Sequence, residues 1–567
     1  MAADPTARRA RRLRDRLPVR LRHHWKPAAA LGVGLASMVY FLGDARISPY
    51  VTSASRVEAD AVTDDVAGTV DLYDTSVPHS VELTYDQTDF DKMIKEFKDD
   101  GTKEYIEADL TVDGVHLNDV GIRLKGNSTL MSLRGGGRGM PGGGQDMPDG
   151  APQGARRGDA GGGAAGGADG NRNGDGQAGG GRGEGGGGGG MAMYDLSEKK
   201  PEELPWLIKI DEYVEGRAYQ GEREISLRPG SNAEVPLNEA LSLSLTAASG
   251  QKAERYGFTS LTVNNRPAVT RLMVENPDTD YGEDIGDGDG VLYKARAGSS
   301  FDYAGDDPTD YEESFKQLNK KGSQDLEPVM KLIKWVNEAS DEQFARDLGT
   351  YVDVDSLASY VATQNLLLNF DDMAGPGKNY LLRYDLGTRR FSVLGWDYNL
   401  TFSGDATAGP DDSVGMGGGG PGMGAGADGA PEQDGQPGQD RPAGQAQPPG
   451  PEQGQGQGQA QGQGPEQGQG QEQGQGRAGG GGPMSGHVLK TRFLESDAFD
   501  DVYEEAYRKL YQAFFGSGAA SEALTDLADQ ARAAGADSEQ LDSAVSALRR
   551  TVTERGKALA ANEQVTG

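Results

Sequence analysis

From Val81 onward the chain switches between two hydrophobic periods. Val81 to Tyr85 repeats every second residue, as a strand buried on one face does, and Asp89 to Lys98 then takes up helical spacing behind an aspartate cap. Tyr105 to Val112 and Val115 to Leu124 return to period two around Asp113-Gly114, which predicts a hairpin with Val120, Ile122 and Leu124 on one face. A strand is predicted at Leu204 to Ile210, and a second hairpin pairs Thr259 to Val263 with Ala268 to Val274 through Asn264-Asn265, ending at Glu275. Leu237 to Ala248 reads as a helix with Glu239 in its first turn, where a carboxylate suits the helix dipole. Leu326 to Leu368 is helical in spacing, its core face carried by Met330, Leu332, Ile333, Val336, Phe344, Leu348, Leu357, Tyr360 and Val361. Two short apolar strands follow, Tyr380 to Arg383 and Phe391 to Leu394, with Asp385 to Arg389 as the turn. Val488 to Phe515 and Ala519 to Ala560 are helical again. A mostly β part thus precedes a mostly helical one, an α+β chain.

Composition divides the 567 residues further. Residues 135–191 and 405–487 are dominated by Gly, Gln and Pro, which bury too little apolar surface to offset chain entropy, so both are expected to be disordered insertions. Pro27 to Gly43 is uncharged, about the shortest run able to cross a bilayer, and follows a basic stretch from Arg8 to Lys26. The positive-inside rule places residues 1–26 in the cytoplasm, makes 27–43 a signal anchor of a single-pass protein, and puts the rest outside the membrane. A cleaved signal peptide is the competing reading. A net charge of −32 argues against a nucleic-acid partner. There is no cysteine, which excludes disulfides, thiolate metal sites and cysteine nucleophiles. No histidine lies in a nucleophile motif, which disfavours a hydrolase.

The densest candidate chemistry lies between Asn369 and Asp397. Asp371, Asn379 and Asp397 supply a carboxylate, an amide and a second carboxylate, the groups with which phosphoryl transfer orients a hydroxyl and holds Mg²⁺. The hairpin predicted between Asn379 and Asp397 would bring those two to one end of a sheet. Asp and Asn are also common turn residues, and Asp397 ending a strand is the plainer alternative. Lys125-Gly126-Asn127-Ser128 is a polar turn after a strand, able to offer N–H groups and a cation to phosphates or to be an ordinary hairpin turn. Lys209 sits in an otherwise apolar strand, where an ammonium needs a partner or an exit to solvent, and a pair with Glu239 would copy the phosphate-positioning pair of protein kinases. Asp278, Asp280, Glu283, Asp284, Asp287 and Asp289 form an acidic loop, expected to be solvated rather than a calcium site.

Seven stretches in order carry a resemblance: VGIRLKGNSTL at Val120 to Leu130, LPWLIKIDEY at Leu204 to Tyr213, LNEALS at Leu237 to Ser242, LMVEN at Leu272 to Asn276, GVLYKA at Gly290 to Ala295, NFDDMAGPGKNYLLRYD from Asn369, and LGWDYNLTF at Leu394 to Phe402. With them the chain resembles the CotH (spore coat protein H) family of atypical secreted or surface protein kinases. The resemblance implies a kinase-like two-lobe fold over residues 79–404, completed by helices at 488–567 and joined to the anchor by a linker at 44–78. It implies ATP and Mg²⁺ or Mn²⁺ as cofactors, with transfer to Ser or Thr of surface or exported proteins. Carried across, Asp371 is the catalytic aspartate, Asn379 and Asp397 are metal ligands, and Lys209 and Glu239 are the phosphate-positioning pair. Lys125, Gly126, Asn127, Ser128, Lys209 and Glu275 are the nucleotide-binding positions. Asp372 adjoins Asp371, and only register favours the latter as base. Gly221 to Ala233 has no assigned role, with Arg228 and Ser231 as possible wall residues.

Overall fold

The computed structural model describes residues 61–126, 128–134, 194, 196–230, 235–283, 285–286, 289–414 and 486–567. The apolar run at 27–43 and the insertion expected at 135–191 lie outside the described residues, among which no helix is long and apolar enough to cross a membrane. The expected boundary of the second insertion moves. Residues 405–414 are part of the packed structure, where the carbonyls of Gly409, Pro410 and Asp412 accept hydrogen bonds from the Asn365 amide.

The fold is α+β. Its strands are β1 (Asp64–Val66), β2 (His79–Tyr85), β3 (Ile106–Val112), β4 (Val115–Leu124), β5 (Trp206–Lys209), β6 (Arg217–Tyr219), β7 (Glu224–Leu227), β8 (Tyr256–Val263), β9 (Val269–Glu275), β10 (Gly290–Ala295), β11 (Phe315–Gln317), β12 (Tyr380–Asp385) and β13 (Phe391–Gly395). Strands β2-β3-β4-β5-β7-β9-β8 close into a barrel through a parallel β2–β8 contact. The order β11-β10-β12-β13 forms a separate antiparallel sheet, and β1 pairs in parallel with β6. All three predicted hairpins are present. Asp113 and Gly114 take φ of 48° and 81°, and Asn264 and Asn265 take 45° and 59°, the left-handed pairs that match the twist of two-residue hairpins. Barrel closure was not legible, because the parallel contact joins strands about 180 residues apart and leaves no local signal.

Side-chain alternation gives the barrel two chemically different faces. Val120, Ile122, Leu124, Trp206, Ile208, Ile225, Leu227 and Met273 fill its interior, closed by helix α1 (Gln87–Asp100) through Phe90, Met93, Ile94 and Phe97. Asp86 caps α1 by accepting from Thr88 N, and Gly101 at φ 87° ends it. Arg123, Lys125, Leu207, Lys209, Ser226 and Arg228, one position out of phase, fall on the outer face of β4, β5 and β7.

A second core joins α2 (Leu237–Ala248), the outer side of β8 and β9, the four-stranded sheet and the later helices. A short helix α3 (Thr279–Glu283) is followed by α4 (Glu327–Glu338), α5 (Asp341–Tyr351) and α6 (Val354–Leu366). The chain ends in α7 (Val488–Leu494), α8 (Asp500–Tyr511), α9 (Ala519–Ala533), α10 (Ser538–Ala560) and the short α11 (Glu563–Thr566). Arg555 of α10 is fully buried and donates to the carbonyls of Leu366, Asn365 and Ala408, so it ties the C-terminal helices to the segments that lead into Asp371 and away from Asp397.

The acidic loop is more structured than a solvated run. Asp278 accepts from the N–H groups of Asp280 and Tyr281 at the start of α3, Asp280 pairs with Arg223 at 3.1 Å, and Asp289 pairs with Lys320 at 2.9 Å. Nearby, one guanidinium serves two carboxylates: Arg255 pairs with Glu275 at 2.6 Å and also with Glu222. Burial pushes Glu222 up to about 7 from an ordinary 4.5, with Arg255 pulling it down and Glu275 adding to the rise. A carboxyl raised in this way holds a proton that the unfolded chain releases, so stability falls as pH rises through that window. Glu222→Gln keeps an acceptor for Arg255 and removes the surplus charge. It should match the wild type near pH ~4 and exceed it at pH ~8 by up to about 3 kcal/mol, read from denaturant midpoints at the two pH values.

Candidate functional site

Strand register brings three of the expected residues together. Tyr380 faces Gly395 in the β12–β13 pair, so Asn379 and Asp397 leave the hairpin at the same end, beside the loop after α6 that carries Asp371. The Asp371 carboxylate is gripped on both oxygens. Gly377 N donates to Oδ1, and Asn379 Nδ2 donates to Oδ2 at 3.1 Å. The loop permits this only because Gly375 and Gly377 have no side chain, since a Cβ on either would collide with Asp371. Burial pushes the Asp371 carboxyl up to about 6, and the Asp397 charge adds to the rise against the pull of the Gly377 N–H. Asp372 turns elsewhere: it pairs with Lys490 of α7 and accepts from Ala374 N at 2.7 Å. Of the two adjacent carboxylates, Asp371 is the one held by Gly377 and Asn379.

Asp397 stands at φ 58°, a left-handed conformation disfavoured for a side chain with a Cβ and typical of functional sites. Its Oδ1 lies 3.1 Å from Arg228 Nη2, and its N–H donates to Glu254 Oε1 at 3.3 Å. Arg228 also pairs with Glu239, which is 1% exposed. Burial pushes Glu239 up to about 7 against the pull of Arg228, with Asp397 adding to the rise. Burial likewise pushes Glu254 up to about 7. Lys125 approaches from the barrel's outer face. Burial draws its pKa well down, and Arg228 and Lys294 press in the same direction while Asp397 and Glu224 oppose them. Its Nζ donates to Asn276 Oδ1 at 2.6 Å.

Lys209 and Glu239 do not pair. Lys209 Nζ meets Glu212 at 2.6 Å and Asp211 at 3.9 Å, and Glu239 has Arg228 in that place. The register explains the separation: Lys209 faces Gly121 and Glu224, four residues along β4 and β7 from Lys125 and Arg228. Glu275 is likewise occupied, its carboxylate held by Arg255, and its neighbour Asn276 is the residue that meets Lys125. Gly126 takes φ 103° and its carbonyl accepts from Lys103 at 3.0 Å. Asn127 and Ser231 lie outside the described residues, as does the Ser128 side chain.

Arg228, Glu254, Asn276 and Gly377 were not assigned catalytic or binding positions from sequence. Arg228 had a usable signal, since it continues the outward-facing phase of a strand whose neighbours are apolar. Glu254 and Asn276 sit outside any regular pattern. Among the described residues no three His, Cys, Asp or Glu side chains converge as metal ligands. The local donor set is two carboxylates and an amide. Asp397 Oδ1 is buried and makes no hydrogen bond among the described residues beyond its ion pair with Arg228, which suits a cation at that oxygen.

A family model described as CotH kinase protein matches residues 195–555. No curated protein matches the chain.

Proposed function

The chain belongs to the CotH kinase family, and from that premise we propose that it transfers the γ-phosphate of ATP to Ser or Thr of surface or exported proteins. The observation that carries the reading is the grip on Asp371, a desolvated carboxylate held on both oxygens beside Asp397. In this reading the barrel is the nucleotide-covering lobe, and the sheet with its helices is the lobe that presents the base.

Asp371 orients the acceptor hydroxyl and takes its proton as the oxygen attacks the γ-phosphorus; the bond to the β-phosphate oxygen breaks and ADP leaves with that electron pair. Lys125 and Arg228 offer positive charge to the phosphate chain, with Glu239 and Asn276 fixing their positions. Asn379 and Asp397 would hold Mg²⁺ or Mn²⁺, which neutralises phosphate charge when bound. An N-terminal anchor would place the catalytic part outside the membrane, where surface proteins meet it.

A second reading is a nucleotide-binding module of the same family without transfer. The Arg228 ion pair on Asp397 favours it, because that guanidinium competes with a metal ion for the same oxygen. Purified protein with ATP labelled in its γ-phosphate, Mg²⁺ or Mn²⁺ and a protein acceptor is expected to yield labelled Ser or Thr. Tight nucleotide binding with no transfer in either metal selects the binding module.

A further inference from the structure

Asp397 is held at two points, and only one of them is its carboxylate. Arg228 Nη2 meets Oδ1 at 3.1 Å, while Glu254 Oε1 accepts from the Asp397 N–H at 3.3 Å. Among the described residues this is the one hydrogen bond of that amide, and the acceptor lies 143 positions away in the chain. Glu254 is 2% exposed, and the link that carries it from α2 to β8 is fixed on both sides. Gln251 Nε2 donates to Thr363 Oγ1 of α6 at 2.8 Å. Arg255 N donates to Glu275 Oε2 at 2.9 Å, and its carbonyl accepts from Glu275 N at 2.8 Å. Glu254 Oε2 is buried and makes no hydrogen bond among the described residues, so the Asp397 amide is the group this carboxylate serves.

We propose that Glu254 is a positioning residue for Asp397, whose carboxylate fixes the left-handed backbone that aims the Asp397 side chain at a divalent cation. The inference rests on the metal-dependent nucleotide site of the phosphotransfer reading and deepens it by adding a residue outside the donor set that controls metal affinity. A φ of 58° carries a cost for a residue with a Cβ, of the same order as one hydrogen bond to a charged group contributes, so the bond can hold the angle. Freed from Glu254, the peptide between Trp396 and Asp397 can rotate to an ordinary negative φ, which swings the carboxylate out of its present direction. Arg228 does not replace this hold, because a cation at Oδ1 takes the oxygen that Arg228 uses. Only chains with Asp397 correctly aimed can take the metal, so apparent metal affinity falls by the fraction that remains aimed, and saturating metal draws the rest back. Loss of Glu254 therefore raises the metal requirement and spares the rate at saturation.

The test compares full-length wild type, Glu254→Met, which removes the acceptor and keeps the volume, and Glu254→Gln, which keeps an acceptor; Glu254→Ala takes the place of the methionine if that variant does not fold. Two quantities are read: the Mg²⁺ concentration that half-saturates γ-phosphate transfer to one protein acceptor, and the thermal midpoint without ligand, with ATP in EDTA, and with ATP plus subsaturating Mg²⁺. Glu254→Met is expected to need ~10-fold more Mg²⁺, with kcat at saturating metal within about threefold of wild type. ATP in EDTA should raise its midpoint as it does for the wild type, whereas the further rise from Mg²⁺ should shrink. Glu254→Gln should need Mg²⁺ within about threefold of wild type. A Mg²⁺ requirement in Glu254→Met equal to that of the wild type overturns the assignment. So does a loss of kcat that no Mg²⁺ concentration recovers, joined to a lower ligand-free midpoint in both variants, which marks a structural role. A wild-type chain that binds ATP but transfers nothing overturns the phosphotransfer reading, and the midpoints then decide this assignment: a Mg²⁺ increment larger in wild type than in Glu254→Met upholds it, and equal or absent increments overturn it.

Discussion

Replacing Arg228 by methionine is expected to destabilise the fold by about 3–5 kcal/mol, whereas Lys209→Met costs less than about 1 kcal/mol. Arg228 is the cation between two carboxylates, and removing it leaves Glu239 and Asp397 facing each other without compensation. Lys209 pairs with Glu212 near the surface, where solvent screens the interaction. The Arg228 penalty also depends on pH in a definite direction. Glu239 is already raised to about 7 by burial, and losing the guanidinium raises it further. The folded variant then holds protons that the unfolded chain releases, so its deficit grows as pH rises from ~5 to ~8. Urea midpoints at both pH values check the sign. The same variant should bind ATP weakly, and Lys209→Met nearly normally. Loss of ATP binding in Lys209→Met with Arg228→Met unaffected would restore the pairing expected from sequence and refute the observed one.

Asp371→Asn is expected to lower kcat by ~10²–10⁴-fold with ATP affinity and folding preserved. An asparagine at this position offers one acceptor and one amide donor where the carboxylate offers two acceptors. The oxygen of the new asparagine can go on accepting from Asn379 Nδ2, which leaves the Asn379 oxygen where it was and gives up only the bond from Gly377 N. Removing a carboxyl that burial pushes up to about 6 also relieves a desolvation cost, so the thermal midpoint should hold or rise. Asp372→Asn, beside Lys490, should retain most of the transfer activity. Equal losses in the two variants would contradict Asp371 as the base.

The parts of this site that were legible in the sequence are those governed by local rules. Asn379 and Asp397 share an end because an antiparallel hairpin between them has a fixed register, and Glu239 opens a helix because its apolar neighbours have helical spacing. Lys209 shows where such rules stop. A lysine in an apolar strand announces that it needs a partner, but the partner is chosen by register across β4, β5 and β7, which puts Lys125 and Arg228 rather than Lys209 at the Asp397 end of the face. Glu275 follows the same logic: the strand end was read correctly, and Arg255 takes the carboxylate. Glu254 and Asn276 follow no hydrophobic period, and their places emerge only once the fold brings Glu254 to Asp397 and Asn276 to Lys125.

The central claim is that Asp397 and Asp371 act together on a phosphoryl group, and the most direct measurement is single-turnover transfer from γ-labelled ATP by wild type and Asp397→Ala in Mg²⁺ and in Mn²⁺. The account predicts labelled Ser or Thr from the wild type and none from the variant, with both chains folded to the same thermal midpoint within a few degrees. Transfer by Asp397→Ala at a rate near that of the wild type would contradict it.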